Sequence, residues 1–232
     1  MGFLGIPVVN VYQSVLPTDL GWRYMGMTPS LAASSANLIG TSTSPTEGGT
    51  VANVAATSTA LAAKSYTTST TLNNIASWTV DPIHNYSNTI AASFCIGLDA
   101  ITNRRVMVGF ADAAPATMGA SDTPSQNFVG FRFSTNASDV NWKGITDNAS
   151  GSPTVVDTGS IVGASSVLLS FVSTSTGVVI FFVNGVIVGV STAKLPSTGV
   201  NTLRPFVSIT NLSGGTTRQV IAYFMNMRSK VV

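Results

Sequence analysis

The stretch 178–190, VVIFFVNGVIVGV, contains two strongly apolar runs separated by Asn184-Gly185. Asn-Gly favours a two-residue type I′ turn, because both central residues of that turn need a positive φ angle. The stretch is too short for a membrane-spanning helix, which needs about 20 apolar residues. We therefore predict a β-hairpin. Its first strand is apolar on both faces, so we expect a second sheet and a further partner, such as another subunit, to cover it.

The composition of the chain favours an all-β protein with a weakly charged surface. Only 9% of the 232 residues are charged and the formal net charge is +2, whereas charged residues normally make up about 25% of a globular protein. Ser and Thr are abundant, and good helix formers other than Ala and Leu are rare. So few charges do little to keep copies apart. We expect membership of a larger assembly, the alternative being a poorly soluble monomer.

The same composition argues against several classes of partner. The net charge is too small to indicate nucleic-acid binding, and Arg104-Arg105 has no interleaved aromatic residues for stacking bases. The first residues, MGFLGIPVV, lack the basic region of a signal peptide, so we expect synthesis in the cytoplasm and no membrane partner. Cys95 is the one cysteine. Because it stands in an apolar run, it is predicted to be a small buried core residue.

The sequence pattern changes at about residue 72. From residue 73 to 232, short apolar runs alternate closely with turn signals, which is typical of a β-sandwich. We predict strands at 76–81, 89–98, 104–111, 128–133, 140–146, 154–158, 166–173, 177–183, 186–191, 204–210 and 218–227. In residues 1–72, prolines between apolar residues favour an extended, mostly irregular arm and linker. Residues 51–64 are compatible with one short helix or with a flexible linker.

The amino-terminal arm has too few apolar residues for a core of its own. An arm of this kind is expected to lie on neighbouring subunits, and the alternative is a mobile tail. The candidate assembly contacts are its large apolar side chains: Phe3, Leu4, Ile6, Val8, Val9, Tyr12 and Trp22.

Several short segments of the second part resemble a known family. They are 108–112 (VGFAD), 130–134 (GFRFS), 139–143 (DVNWK), 156–159 (VDTG) and 182–186 (FVNGV), followed by Leu195-Pro196. These segments are similar to the concanavalin A-like jelly-roll domains of bacteriophage structural proteins, which occur in tail fibres, receptor-binding tips and head decoration proteins. The resemblance covers about residues 75–232. It implies an antiparallel jelly-roll sandwich with Trp142 in its core, and it says more about the fold than about the task.

The residues that catalysis would need are scarce. Glucanases that resemble this fold use paired glutamates, whereas this chain has one glutamate, Glu47, which lies in the predicted linker. The one histidine, His84, lies close to Asp81 in a turn-rich segment without a nucleophile elbow. One His and one Cys cannot form a transition-metal site. We therefore expect neither an enzyme nor a cofactor.

Calcium binding is the remaining chemical hypothesis. Asp139, Asn141 and Asp147 flank the predicted strand around Trp142, and their oxygens are of the type that Ca²⁺ prefers. Ca²⁺ needs six or more such ligands, however, so turn and cross-strand hydrogen bonds are the alternative role for these residues.

These observations favour a non-enzymatic virion protein that is made in the host cytoplasm. We expect a capsid decoration, or cement, protein that forms a homotrimer through its jelly roll and binds the major capsid protein through its arm. Tail fibres usually carry a long repetitive shaft, and no heptads or repeats occur here. The alternative is a tail receptor-binding protein that recognises a host glycan or surface protein. Residues 113–126 and 147–153 would then form its recognition loops.

Overall fold

A computed structural model describes residues 22–27, 49–54, 63–79, 90–174, 177–196 and 203–230. Three strands lie before residue 73: β1 (Trp22–Met27), β2 (Thr50–Val54) and β3 (Ala63–Thr67). The chain has one short helix among its described residues, α1 (Pro115–Gly119). The strands that follow β3 are β4 (Ile75–Thr79), β5 (Ile90–Leu98), β6 (Arg104–Ala111), β7 (Asn127–Ser134), β8 (Asn141–Asn148), β9 (Thr154–Ile161), β10 (Val167–Thr174), β11 (Val178–Val183), β12 (Val186–Ser191), β13 (Arg204–Asn211) and β14 (Gln219–Lys230).

These strands form two antiparallel sheets that pack as a sandwich. The larger sheet has the order β12-β11-β10-β5-β14-β3-β2, and β1 also pairs with β14. The smaller sheet has the order β4-β13-β6-β7-β8-β9. Consequently β12 and β9 are edge strands, and the hairpin of residues 178–190 lies at one side of the larger sheet.

The core between the sheets is rich in aromatic side chains. Phe110 of the smaller sheet meets Phe171 of the larger sheet edge to face, with ring centroids 5.9 Å apart, and Phe131 meets Phe181 in the same way at 5.4 Å. Such pairs contribute about 1 kcal/mol each beyond the burial of their surface. Trp142 is 1% exposed and belongs to this core. Its predicted role as a core residue is confirmed.

The strands predicted after residue 73 are all present, with ends that differ by a few residues at most. The predicted turn of the hairpin is also present. Asn184 and Gly185 have φ angles of 51° and 81°, and Val183 lies opposite Val186. Alternation along β11 places Val179 and Phe181 in the core, where each is fully buried.

The described parts of residues 1–72 belong to the larger sheet. β1 and β3 pair with successive halves of β14, and β2 pairs with β3. Both described ends of the segment 51–64 are β-strand, so the alternative of a helix is wrong there. Pairing with a neighbouring strand outweighs the helical preference of Ala. Trp22 begins β1, opposite Lys230. The other candidate assembly contacts, from Phe3 to Tyr12, lie outside the described residues.

Candidate binding surface on the side formed by β9 and β12

The edge strands β9 and β12 lie against each other and close one side of the sandwich. The approach is close at Gly189 of β12, where an added Cβ would lie 2.4 Å from Cγ1 of Val156. A side chain at this position would therefore displace the Val156 side chain. This side of the molecule is thus closed by packing of residues and not by a continuous ladder of backbone hydrogen bonds.

Five large apolar side chains are exposed around this closed side. Their exposed fractions run from 51% at Val190 to 82% at Ile161. A single exposed apolar residue is ordinary, but a group of this size marks an interaction surface. We call this group the apolar strip: Val140, Ile161, Val186, Ile187 and Val190.

A cleft of about 550 Å³ opens beside the apolar strip. It lies between the end of β9, the loop that follows β9, and the hairpin. Trp142 contributes to its lining from below, and Ile161, Val186 and Val188 are among its apolar walls. The lining contains serine and asparagine side chains but no charged or titratable residue. The cleft therefore suits an uncharged, largely apolar group.

The hairpin turn holds the walls of this cleft in place. The backbone N–H of Asn184 donates to the Leu168 carbonyl at 2.8 Å, and the Leu168 N–H donates to Oδ1 of Asn184 at 3.0 Å. This pair of hydrogen bonds fixes the turn against the first residues of β10. Val183 and Val186, which flank the turn, consequently line the cleft in a defined position.

The outer face of the larger sheet continues the apolar strip. Since Val179 and Phe181 point into the core, Ile180 and Phe182 point outward, and their neighbours on β5, β10 and β12 do so as well. No charged side chain occupies these outward positions. Ala91, Ser93, Ser170 and Phe182 are already buried within the single chain. We call the remaining outward residues the outer face: Cys95, Leu168, Val172, Ile180, Ile187 and Val190.

The position of Cys95 on the outer face corrects its predicted place in the core. Its neighbours Phe94 and Ile96 are fully buried and point inward, so Cys95 points outward and is half-buried. Its local sequence is apolar on both faces, so alternation of polar and apolar residues does not show which side faces the core. Burial raises the pKa of the thiol to about 11, which keeps it protonated and unreactive near neutral pH.

The loop 113–126, a predicted recognition loop, lies on the outer surface of the smaller sheet. We call it the lid. Its helix α1 contacts β4, β6 and β13. Met118 of the lid packs in a second apolar cluster with Met107, Phe128 and Phe206 of the sheet beneath it. The lid therefore covers apolar residues that would otherwise face water.

Two arginines tie the lid to the smaller sheet. Arg105 donates from Nε to Oδ1 of Asp122 at 2.6 Å and from Nη1 to the Gly119 carbonyl at 2.5 Å. Arg132 donates to the Asp122 carbonyl at 2.7 Å, and Asn136 donates to the other carboxylate oxygen of Asp122 at 2.6 Å. The side chains of both arginines are 6% exposed. These contacts hold the loop on the sheet, and Ala114, Thr117, Ala120, Thr123 and Ser125 remain exposed to solvent.

The structure does not bring the three candidate calcium ligands together. Both carboxylate oxygens of Asp139 accept from Arg132, and Asn141 donates to Asp157. Asp147 lies near the opposite end of β8 from Asn141, and burial raises its pKa. Among the described residues, no group of three His, Cys, Asp or Glu side chains could hold a metal ion.

The remaining sequence candidates fall in two groups. His84, Asp81 and Glu47 lie outside the described residues. The second predicted recognition loop, 147–153, is described and exposes residues 149–152, while Nζ of Lys194 donates to the Ser150 carbonyl.

No helix in the described ranges is long and apolar enough to cross a membrane.

Comparison with known proteins identifies the fold. No family model and no curated protein matches the chain. A solved protein of unknown function from Shewanella oneidensis MR-1 superposes with a TM-score of 0.61 at 14% identity, over 100% of this chain and 97% of that one. The carbohydrate recognition domain of Emp46p gives a TM-score of 0.53 at 8% identity, over 79% and 89%. The fold is a concanavalin A-like jelly roll.

One similar structure comes from a phage. It is a carbohydrate esterase of the Shiga toxin-encoding bacteriophage phi24B, with a TM-score of 0.56 and 12% identity, over 91% of this chain and 100% of that one. At such identities the jelly roll is shared, whereas activity depends on residues that a fold does not determine.

Proposed function

We propose that the protein is a non-enzymatic structural component of a phage virion, namely a capsid decoration protein that acts by binding. The observation that carries the proposal is the apolar strip with the uncharged cleft beside it. A surface of this chemistry gains free energy when another apolar surface displaces its water. It offers no acid, base or activated nucleophile, which enzymatic hydrolysis would require.

The size of the apolar strip is consistent with attachment to a repetitive surface. Burial of five Val or Ile side chains contributes on the order of 10 kcal/mol. The loss of translational and rotational freedom on association costs roughly 4–15 kcal/mol. One strip therefore gives modest affinity, and firm attachment needs several linked contacts. A capsid presents many identical sites, and an oligomer can bind several of them together.

The similarity to a phage protein and the low charge support the same proposal. With 9% charged residues, the chain has little electrostatic resistance to close packing with other proteins. The lid covers apolar residues of the smaller sheet, and five of the nine exposed large apolar side chains among the described residues belong to the apolar strip.

The copy number of the protein on particles tests this proposal. Particles produced by the genome that encodes the chain are purified, and quantitative mass spectrometry gives its ratio to the major capsid protein. A decoration protein approaches the abundance of the capsid protein. Ile161→Asp should lower the occupancy at least tenfold, whereas Leu72→Asp, at an exposed position on the opposite side, should not. A handful of copies per particle would contradict the proposal.

A second candidate function is recognition of a host glycan by a tail protein. The similarity to a carbohydrate recognition domain favours it, and both predicted recognition loops, 113–126 and 147–153, have exposed residues. A glycan array with the full chain tests this candidate. Saturable binding that is lost when residues 149–152 are replaced by a Gly-Ser linker would support glycan recognition in place of decoration.

A further inference from the structure

We propose that a second copy of this chain occupies the apolar strip and the outer face, so that the protein self-associates through the side formed by β9 and β12. The inference rests on the proposed function, since it names one partner of the same surface. Its evidence is the charge, the shape and the area of that surface.

The charge pattern favours a partner with the same chemistry. The apolar strip and the outer face contain no charged residue, and the lining of the cleft contains none. A charged partner would lose the hydration of its charges on this surface and gain no counter-charge in return. A second copy carries no charge here, and its net charge of +2 adds little repulsion at a distance.

The surface combines projecting apolar side chains with a cleft beside them. Ile187 and Val190 project from the outward side of β12 and form a ridge, with exposed fractions of 61% and 51%. The cleft opens beside Val186 on the same strand. A ridge and a cleft side by side on one chain allow a symmetric contact, in which each copy places its ridge against the cleft of another.

The area of the surface matches what a stable interface between copies needs. Each partner in a standard interface buries about 800 Å². The exposed fractions of the five side chains in the apolar strip correspond to roughly 550 Å² of surface. Half-buried outward residues next to the ridge, Leu168, Val172 and Ile180, extend this area.

The exposed apolar side chains of β12 would also make the protein prone to aggregation if they stayed in water. Edge strands are usually protected from aggregation by charged side chains, especially lysine, or by proline. β12 has the sequence VIVGVS and carries none of these. The bulge between Phe181 and Phe182 distorts its pairing with β11, but three of its side chains are still more than half exposed. A second copy covers this strand in a defined way and prevents irregular aggregation.

The oligomeric mass of the full chain in solution tests the inference. Light scattering after size-exclusion chromatography should give a multiple of 23.9 kDa for the natural sequence and a monomer for Ile187→Asp. Leu72→Asp is the matched control, because Leu72 is 54% exposed on the opposite side of the sandwich, and it should keep the multiple. A natural chain that stays monomeric at high concentration, or an unchanged mass for Ile187→Asp, would overturn the inference.

A second measurement needs no variant and therefore does not depend on whether Ile187→Asp folds. Hydrogen exchange of the natural chain is compared at low and high protein concentration. Backbone amides of β12 should become more protected at high concentration, and those around Leu72 should not change. Equal exchange of β12 at both concentrations would contradict self-association through this side.

The two proposals fail in different ways. A chain that is monomeric in solution but coats particles would remove the second copy as the occupant and leave the decoration function. A chain that forms the expected multiple but is absent from particles would leave the interface and remove the decoration function.

Discussion

At the scale of single residues, Asp122 and Asp157 have similarly low pKa values in different surroundings. Burial raises the pKa of Asp122, but hydrogen bonds from Arg105 and Asn136 and the charge of Arg105 outweigh it and lower the pKa to about 2. Asp157 is exposed, and a hydrogen bond from Lys143 is the main reason why its pKa is also about 2. Equal pKa values therefore do not imply equal contributions to stability.

We expect Asp122→Asn to lower the free energy of unfolding by about 2 kcal/mol, because the buried Arg105 loses its charged partner. This is less than the roughly 3–5 kcal/mol for a fully buried pair, since Asp122 is partly exposed and the Gly119 carbonyl still accepts from Arg105. Asp157→Asn is the control and should change stability far less, because exposed ion pairs are screened by water. Urea denaturation measures both, and equal losses would contradict the assigned role of the lid contacts.

The low pKa of Asp122 also predicts how the stability of the protein changes with pH. The folded pKa of Asp122, about 2, lies below the unfolded value of about 3.9. Its contribution to stability is thus fully present above the unfolded pKa and is lost as the pH falls through the folded pKa. Between about pH 4 and pH 2, the natural chain should lose stability more steeply than Asp122→Asn.

At the scale of elements, the turn between β11 and β12 is the feature that local sequence predicts best. Gly185 has a φ angle of 81°, which a residue with a Cβ adopts only with strain. Gly185→Ala should therefore lower the free energy of unfolding by about 1 kcal/mol or more. Gly163→Ala is the control, because the φ of Gly163 is not left-handed and its Cβ would lie 3.9 Å from the nearest atom. Thermal unfolding of the two variants measures the difference. Equal losses of stability in Gly185→Ala and Gly163→Ala would contradict strain at the turn.

The elements that the sequence did not predict depend on contacts far apart in the chain. β2 has the sequence TVANV, which has a weak preference of its own, and it becomes a strand because β3 and β14 extend the sheet beside it. The lid is another example. Arg105 and Asp122 are 17 residues apart, and no motif indicates that the loop folds back over the strands on either side of it.

The candidate surface was predictable only in part, for a similar reason. Two apolar faces on residues 179–183 indicate that something besides the second sheet covers this strand, which remains a prediction. The cleft combines residues of β8, β9, β10 and the hairpin. Its existence depends on the meeting of β9 and β12, two edge strands of different sheets, and the sequence of neither strand indicates that meeting.

At the scale of the whole molecule, the ion pairs of the described residues take their cations from the smaller sheet. Among the described residues, four ion pairs occur, and each has its cation on β6, β7 or β8: Arg104–Asp99, Arg105–Asp122, Arg132–Asp139 and Lys143–Asp157. Three of them have a cation that is at most 6% exposed. Arg105 and Arg132 stabilise the lid, whereas the strands β10, β11 and β12 of the larger sheet carry no charged residue.

This separation of charge from apolar surface predicts how salt affects self-association. Ion pairs across an interface weaken as sodium chloride shortens the range of electrostatic interactions, whereas apolar contacts do not depend on charge. Sulfate, which is excluded from protein surfaces, strengthens apolar burial, and cooling weakens it. The dissociation constant of the oligomer, measured by sedimentation equilibrium, should therefore stay nearly constant in sodium chloride, fall in ammonium sulfate and rise on cooling. Leu72→Asp should respond like the natural chain. Dissociation by sodium chloride would instead place the charged surface of the smaller sheet in the interface.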